Sequence, residues 1–147
     1  MVSDREQPTH KEYTMTTTPL NIGKTTDAMD IATTQVEESA YNLALILKKA
    51  GPIPAPAAYT ALGNLKVALW RLRDAANQLQ DGLRRFHDVT DVHITDEDPF
   101  TGEPRDPAES FELAASQLRA LSNHLADAAS STDIAQEAIA GQGYKLK

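Results

Sequence analysis

The chain has 147 residues and a mass of 16.0 kDa, which is the size of one ordinary domain and too small for a multidomain enzyme. Aromatic residues make up 5% of the chain, and Ala and Leu dominate its apolar content, which favours helices over a large sheet. The net charge of -7 disfavours non-specific binding to nucleic acid. With no cysteine, the chain has no disulfide, thiolate zinc site or cysteine nucleophile.

Residues 1–24 mix Thr, Pro and charged residues without periodicity, and this composition predicts a disordered arm. Met15 is an alternative to Met1 as the translation start. No long apolar run follows Met1, and the longest one, residues 43–47, is too short to cross a bilayer. We therefore expect a cytoplasmic protein without membrane contact.

The first helix is predicted over residues 25–50. Thr25, Thr26 and Asp27 are good capping residues at its start, and the last turn holds Lys48 and Lys49, which suit the negative end of the helix dipole. The apolar positions recur at helical spacing: Met29, Ala32, Val36, Ala40, Leu43 and Leu47. The connector that follows, Gly51-Pro52-Ile53-Pro54-Ala55, excludes helix.

The second helix, predicted over residues 56–89, has the strongest pattern in the chain. Its apolar residues alternate at gaps of four and three and form an unbroken heptad seam: Ala58, Leu62, Leu65, Leu69, Leu72, Ala76, Leu79, Leu83 and Phe86. Small residues (Ala61, Ala68, Ala75 and Gly82) flank the seam and favour close approach of another helix.

An acidic loop is predicted over residues 90–106, and a third helix over residues 107–140. Asp106, Pro107 and Glu109 form a typical helix start. The third seam is Phe111, Ala114, Leu118, Leu121, Leu125 and Ala128, with the small flank Ala115, Ser122 and Ala129. A break near Ser130 into a short fourth helix is the alternative, and residues 142–147 form a flexible tail.

These patterns predict an all-α fold: an antiparallel bundle of three long helices with coiled-coil-like packing, forming one helical domain over residues 25–141. Charge favours pairing of the second and third helices. Five cations and three acids give the second a balance of +2, whereas one cation and five acids give the third -4. Exposed ion pairs select partners more than they stabilise.

A second apolar stripe lies off the main seams and predicts a protein-interaction surface. It comprises Tyr41, Leu45, Tyr59, Val67 and Trp70, and aromatic residues of this kind are typical of interface hot spots. The alternative is that the stripes of the first two helices cover each other inside one chain. The functional reading is a homo-oligomer or the docking of a helical protein partner.

Enzyme chemistry has little support in the sequence. The acidic loop and its edge offer six potential cation ligands whose spacing does not match an EF-hand: Asp88, Asp91, His93, Asp96, Glu97 and Asp98. Neither Glu-x-x-His pairs nor common nucleophile or phosphate-binding motifs occur. We expect no catalytic residues, no metal and no cofactor.

We interpret the protein as a non-enzymatic helical interaction or scaffold module. One alternative is a metal-dependent, hydrolase-like all-α enzyme that uses carboxylates of the bundle or the loop. The other is a nucleic-acid-associated regulator that uses Arg71, Arg73, Arg84 and Arg85, although those cations also fit a flank facing the acidic third helix. We therefore expect no nucleic-acid partner.

Overall fold

The computed structural model describes residues 22–88 and 94–143. Over this part the chain is all-α, as predicted, with three long helices: α1 at Ile22–Lys49, α2 at Ala55–His87 and α3 at Pro107–Ala138. Most of the predicted arm, the last residue of the predicted second helix (89), residues 90–93 of the predicted acidic loop and residues 144–147 of the tail lie outside the described residues. The described chain divides into two compact units, one ending at Gly51 and one beginning at Pro52.

The first unit contains α1. The helix begins at Ile22, three residues before the predicted start, so Thr25 and Thr26 lie within its first turns rather than at its cap. It ends at Lys49, and Lys48 and Lys49 occupy the last turn as predicted. Gly51 follows with a φ of 65°, a conformation that glycine adopts without the steric cost of a Cβ.

The second unit contains α2 and α3, which pack against each other in opposite directions. Residue 63 near the start of α2 lies beside Gln136 near the end of α3. At the other end, the rings of His87 and Phe111 meet edge to face with centroids 5.0 Å apart. The pairing therefore runs antiparallel along nearly the whole length of both helices.

The starts of α2 and α3 follow the sequence signals. Pro54 is the N-cap of α2 and Pro56 lies in its first turn, where the missing proline N–H costs no hydrogen bond. At α3, the Asp106 carboxylate accepts a 2.9 Å hydrogen bond from the backbone N–H of Ala108, with Pro107 and Glu109 in the first turn. The predicted capping by Asp106 is confirmed.

The alternative of a helix break near Ser130 is wrong, because α3 continues without interruption to Ala138. The hydroxyls of Ser130, Ser131 and Thr132 each donate to the carbonyl oxygen four residues earlier, at 2.8–3.0 Å. Polar side chains that favour a cap elsewhere are thus satisfied inside the helix by its own backbone.

Candidate interaction surface

Only part of the predicted α2 seam faces α3. The row Leu62, Leu69, Ala76 and Leu83 is buried or half-buried, whereas the neighbouring leucines Leu65, Leu72 and Leu79 remain 36–40% exposed. In α3, Leu121 is likewise 46% exposed. Part of each predicted seam therefore remains uncovered in the α2·α3 pair.

Polar contacts between α2 and α3 accompany this packing. Lys66 Nζ lies 2.5 Å from Asp133 Oδ1, and this hydrogen bond, opposed in part by desolvation, raises the pKa of Lys66. Gln136 Nε2 donates to the carbonyl oxygen of Tyr59 at 3.0 Å. Positions beside the seam, including Lys66, therefore share the interface with α3. The charge attraction predicted between the two helices has a direct contact in Lys66–Asp133.

The small flank of α3 allows the close approach. Ala129 is fully buried and Ser122 is 5% exposed, and together with the half-buried Ala115 they form the row on which α2 packs. On the α2 side, a Cβ at Gly63 would lie 2.7 Å from Gln136 Nε2. The sequence singled out the α3 flank for close helix approach, and α2 is the helix that approaches it.

The packing leaves an apolar surface on α2 turned away from α3, which we call the outer α2 face. It consists of Ala61, Leu65, Ala68, Leu72, Ala75, Leu79, Gly82 and Phe86. The gaps are four and three throughout, and small residues alternate with large ones. Gly82 and Phe86 are half-buried and the other six residues are exposed, so the face presents a second helical seam to its surroundings.

The residues predicted to form the interaction stripe are divided between the two units, and all except Leu45 are exposed. Within α2, Tyr59, Val67 and Trp70 are 44%, 54% and 37% exposed, and Trp70 lies on the far side of the helix from Leu72. In the other unit, Tyr41 is 66% exposed and Leu45 half-buried. Their role in protein interaction stays a prediction.

Trp70 has a cation against its ring. The guanidinium carbon of Arg73 lies 5.1 Å from the ring centroid, within the range of a cation–π contact. Because Arg73 covers part of the indole, less of Trp70 is available to a partner than its place in the sequence pattern indicated.

The described part of the acidic loop is held by its own residues. Asp98 Oδ1 accepts hydrogen bonds from the backbone N–H groups of Phe100 and Thr101, at 2.8 and 3.0 Å, and these bonds lower the pKa of Asp98. Arg105 lies 3.6–3.7 Å from Asp98 and Asp96, and Asp96 accepts a hydrogen bond from Ser110. These carboxylates thus fold the loop onto the start of α3.

The predicted cation ligands lie partly within the described residues. Asp91 and His93 lie outside the described residues. Within residues 22–88 and 94–143, no group of three or more His, Asp or Glu side chains is arranged to hold a metal ion. None of the three described helices is long and apolar enough to cross a membrane.

Comparison with known proteins finds no matching family model, no matching curated protein and no matching solved structure. The sequence-based predictions place the large residues of the outer α2 face in the seam and its small residues in the flank that favours close approach of another helix, and do not identify them together as a second surface. The signal for a second surface was present in the alternation of Leu65, Leu72 and Leu79 with small residues.

Proposed function

We propose that the protein is a non-enzymatic helical interaction or scaffold module, acting in the cytoplasm, whose outer α2 face docks another helical protein surface. The observation that carries this proposal is the exposure of Leu65, Leu72 and Leu79 along one helix. The partner is either a second copy of the chain or a different helical protein, and the proposed function covers both.

The energetics of the α2·α3 pair support this reading. Among its described residues, the buried ones are Ala76, Ser122, Ala129 and Thr132, and none is a large apolar residue. Burial of a leucine side chain contributes about 1.5–3 kcal/mol. Leu65, Leu72 and Leu79 are 36–40% exposed, so part of this stabilisation is still available to each of them, and a docked helix would provide it.

The two alternative functions have less support from the described residues. A metal-dependent enzyme would use carboxylates such as Asp96 and Asp98, which already bind Ser110, Arg105 and backbone N–H groups. A nucleic-acid regulator would use Arg71, Arg73, Arg84 and Arg85, and of these Arg73 lies over the Trp70 ring. Both remain proposals of lower rank.

A photo-crosslinking experiment tests the proposed function. A photoreactive amino acid replaces Leu72 in the full chain, which is expressed in cells and irradiated. The comparison position is Val67, which lies on the same helix, is 54% exposed and belongs to the predicted interaction stripe but not to the outer α2 face. We expect protein adducts from position 72, of whatever partner, and few from position 67. Equal labelling from both positions, or none from either, would contradict the proposal.

A further inference from the structure

The outer α2 face is complementary to itself in the antiparallel direction. When two such helices run in opposite directions with a two-fold axis between residues 73 and 74, each large residue faces a small one. Leu72 then lies opposite Ala75 of the second copy, and Leu79 opposite Ala68. At the ends, Leu65 meets Gly82 and Phe86 meets Ala61. All eight positions of the face are thereby paired, large against small.

From this complementarity we propose that the outer α2 face binds a second copy of the chain, so that two α2·α3 pairs form an antiparallel four-helix assembly. The inference rests on the proposed function and names its partner. The charges of the polar residues that flank the outer α2 face are compatible with the same alignment. Arg71 falls beside Gln78 of the second copy and Asn64 beside Arg85, so no like charges are set against each other.

Charge along the surface also favours a second copy. The outer α2 face has no ionisable side chain. The adjoining side of α3 has no Asp, Glu, Lys or Arg either: Ala114, Gln117, Leu121, His124, Ala128, Ser131, Ala135 and Ala138. The opposite side of the pair holds the charged groups Lys66 and Asp133. A chain of net charge -7 meets a copy of itself at least cost through its uncharged side.

The available area suits a stable dimer. The face extends over 25 residue steps, or about 38 Å at a helical rise of about 1.5 Å per residue. Two adjacent helices, each about 10 Å wide, then present roughly 750 Å² on this side of the pair. A standard protein–protein interface buries about 800 Å² per partner. The surface is therefore large enough without a contribution from elsewhere in the chain.

Disulfide trapping tests the alignment. Because the chain has no native cysteine, only the introduced cysteines can form disulfides. Two single variants of the full chain are prepared, Ala68→Cys and Leu79→Cys, and oxidised alone and as a mixture. The proposed alignment sets position 68 of one copy against position 79 of the other. Within one alignment, two copies of position 68 lie about 16 Å apart along the helix, beyond disulfide reach. We expect the mixture to form covalent dimers and each variant alone to form almost none.

Light scattering on the purified full chain measures the association itself. We expect a mass of twice 16.0 kDa that Leu72→Glu weakens by more than about 100-fold in dissociation constant, because a carboxylate would be buried without a partner. The matched control Val67→Glu should change the dissociation constant only slightly, and circular dichroism checks that each variant is helical. A monomer at all concentrations, or disulfides formed by Ala68→Cys alone, would overturn the proposed pairing.

The two proposals fail in different ways. If photo-crosslinks from position 72 join a different protein and the purified chain is monomeric, the second copy is wrong and the interaction function stands. Crosslinks that stay within one chain overturn the second-copy proposal as well. If position 72 yields no intermolecular adduct and the chain is monomeric, both proposals are wrong.

Discussion

At the scale of single residues, Asp98 shows how the acidic loop keeps its shape. Its carboxylate accepts two backbone hydrogen bonds and lies near Arg105, so the folded loop favours the charged form and the pKa is lowered. A lowered pKa in the folded state means that Asp98 stabilises the loop above its unfolded pKa, about 3.9. This contribution is lost as the pH falls through the pKa of Asp98 in the folded state.

We therefore predict that the amide resonances of Phe100 and Thr101 titrate with a midpoint below about 3.9, as followed by NMR in an acid titration. Asp98→Asn is the matched control, because it keeps the shape of the side chain and removes its charge. In this variant the low-pH transition of the two amides should disappear. A midpoint at or above the ordinary value for aspartate would show that the loop does not favour the charged carboxylate.

At the scale of the element, substitution by alanine should affect stability differently at two glycines of α2. Gly82→Ala meets open space and replaces a poor helix former, so we expect stability to rise by about 0.5–1 kcal/mol. Gly63→Ala gains the same propensity but displaces Gln136 from the Tyr59 carbonyl, which costs about 0.5–1.5 kcal/mol. Urea unfolding should therefore show a gain for Gly82→Ala and little or no gain for Gly63→Ala.

A double variant separates the two effects at Gly63. In a Gln136→Ala background the hydrogen bond is already absent, so Gly63→Ala should recover the gain expected of an ordinary helical site. Equal gains for Gly63→Ala and Gly82→Ala in the native background would mean that Gln136 moves aside without loss.

The helices themselves follow from local signals in the sequence. Periodicity, the Asp106 cap and the prolines at residues 52–56 are properties of one segment at a time, and all are visible without a structure. The face of α2 that packs on α3 is different in kind. It depends on pairs such as Lys66–Asp133 and Gly63–Gln136, which lie far apart in the chain. Periodicity within α2 could not distinguish the Leu69 row from the Leu72 row, because both belong to one wide apolar stripe.

For the same reason, the sequence alone did not identify the outer α2 face as an interaction surface. A seam predicts burial, and the sequence offers no measure of how much of a seam one neighbouring helix covers. The predicted interaction stripe contains Trp70 and Tyr59, which are residue types typical of interfaces. The outer α2 face consists mainly of leucine and alanine.

At the scale of the whole molecule, the proposed assembly has a defined response to salt. Each copy has a net charge of -7, so two copies repel, while the surface through which they meet is uncharged. Raising NaCl from about 0.05 M to about 0.5 M shortens the range of the repulsion. We therefore predict that the dissociation constant of the wild-type dimer falls several-fold over this range, measured by sedimentation equilibrium.

The variant Val67→Glu sharpens this prediction, because it adds one negative charge per copy outside the outer α2 face. Its dimer should be slightly weaker than the wild type at low salt and equal to it at high salt, since screening removes the additional repulsion. A dissociation constant that rises with salt would contradict this prediction. It would mean that the copies are joined by ion pairs, and that the contact lies on the charged side of α2 and α3 rather than on the outer α2 face.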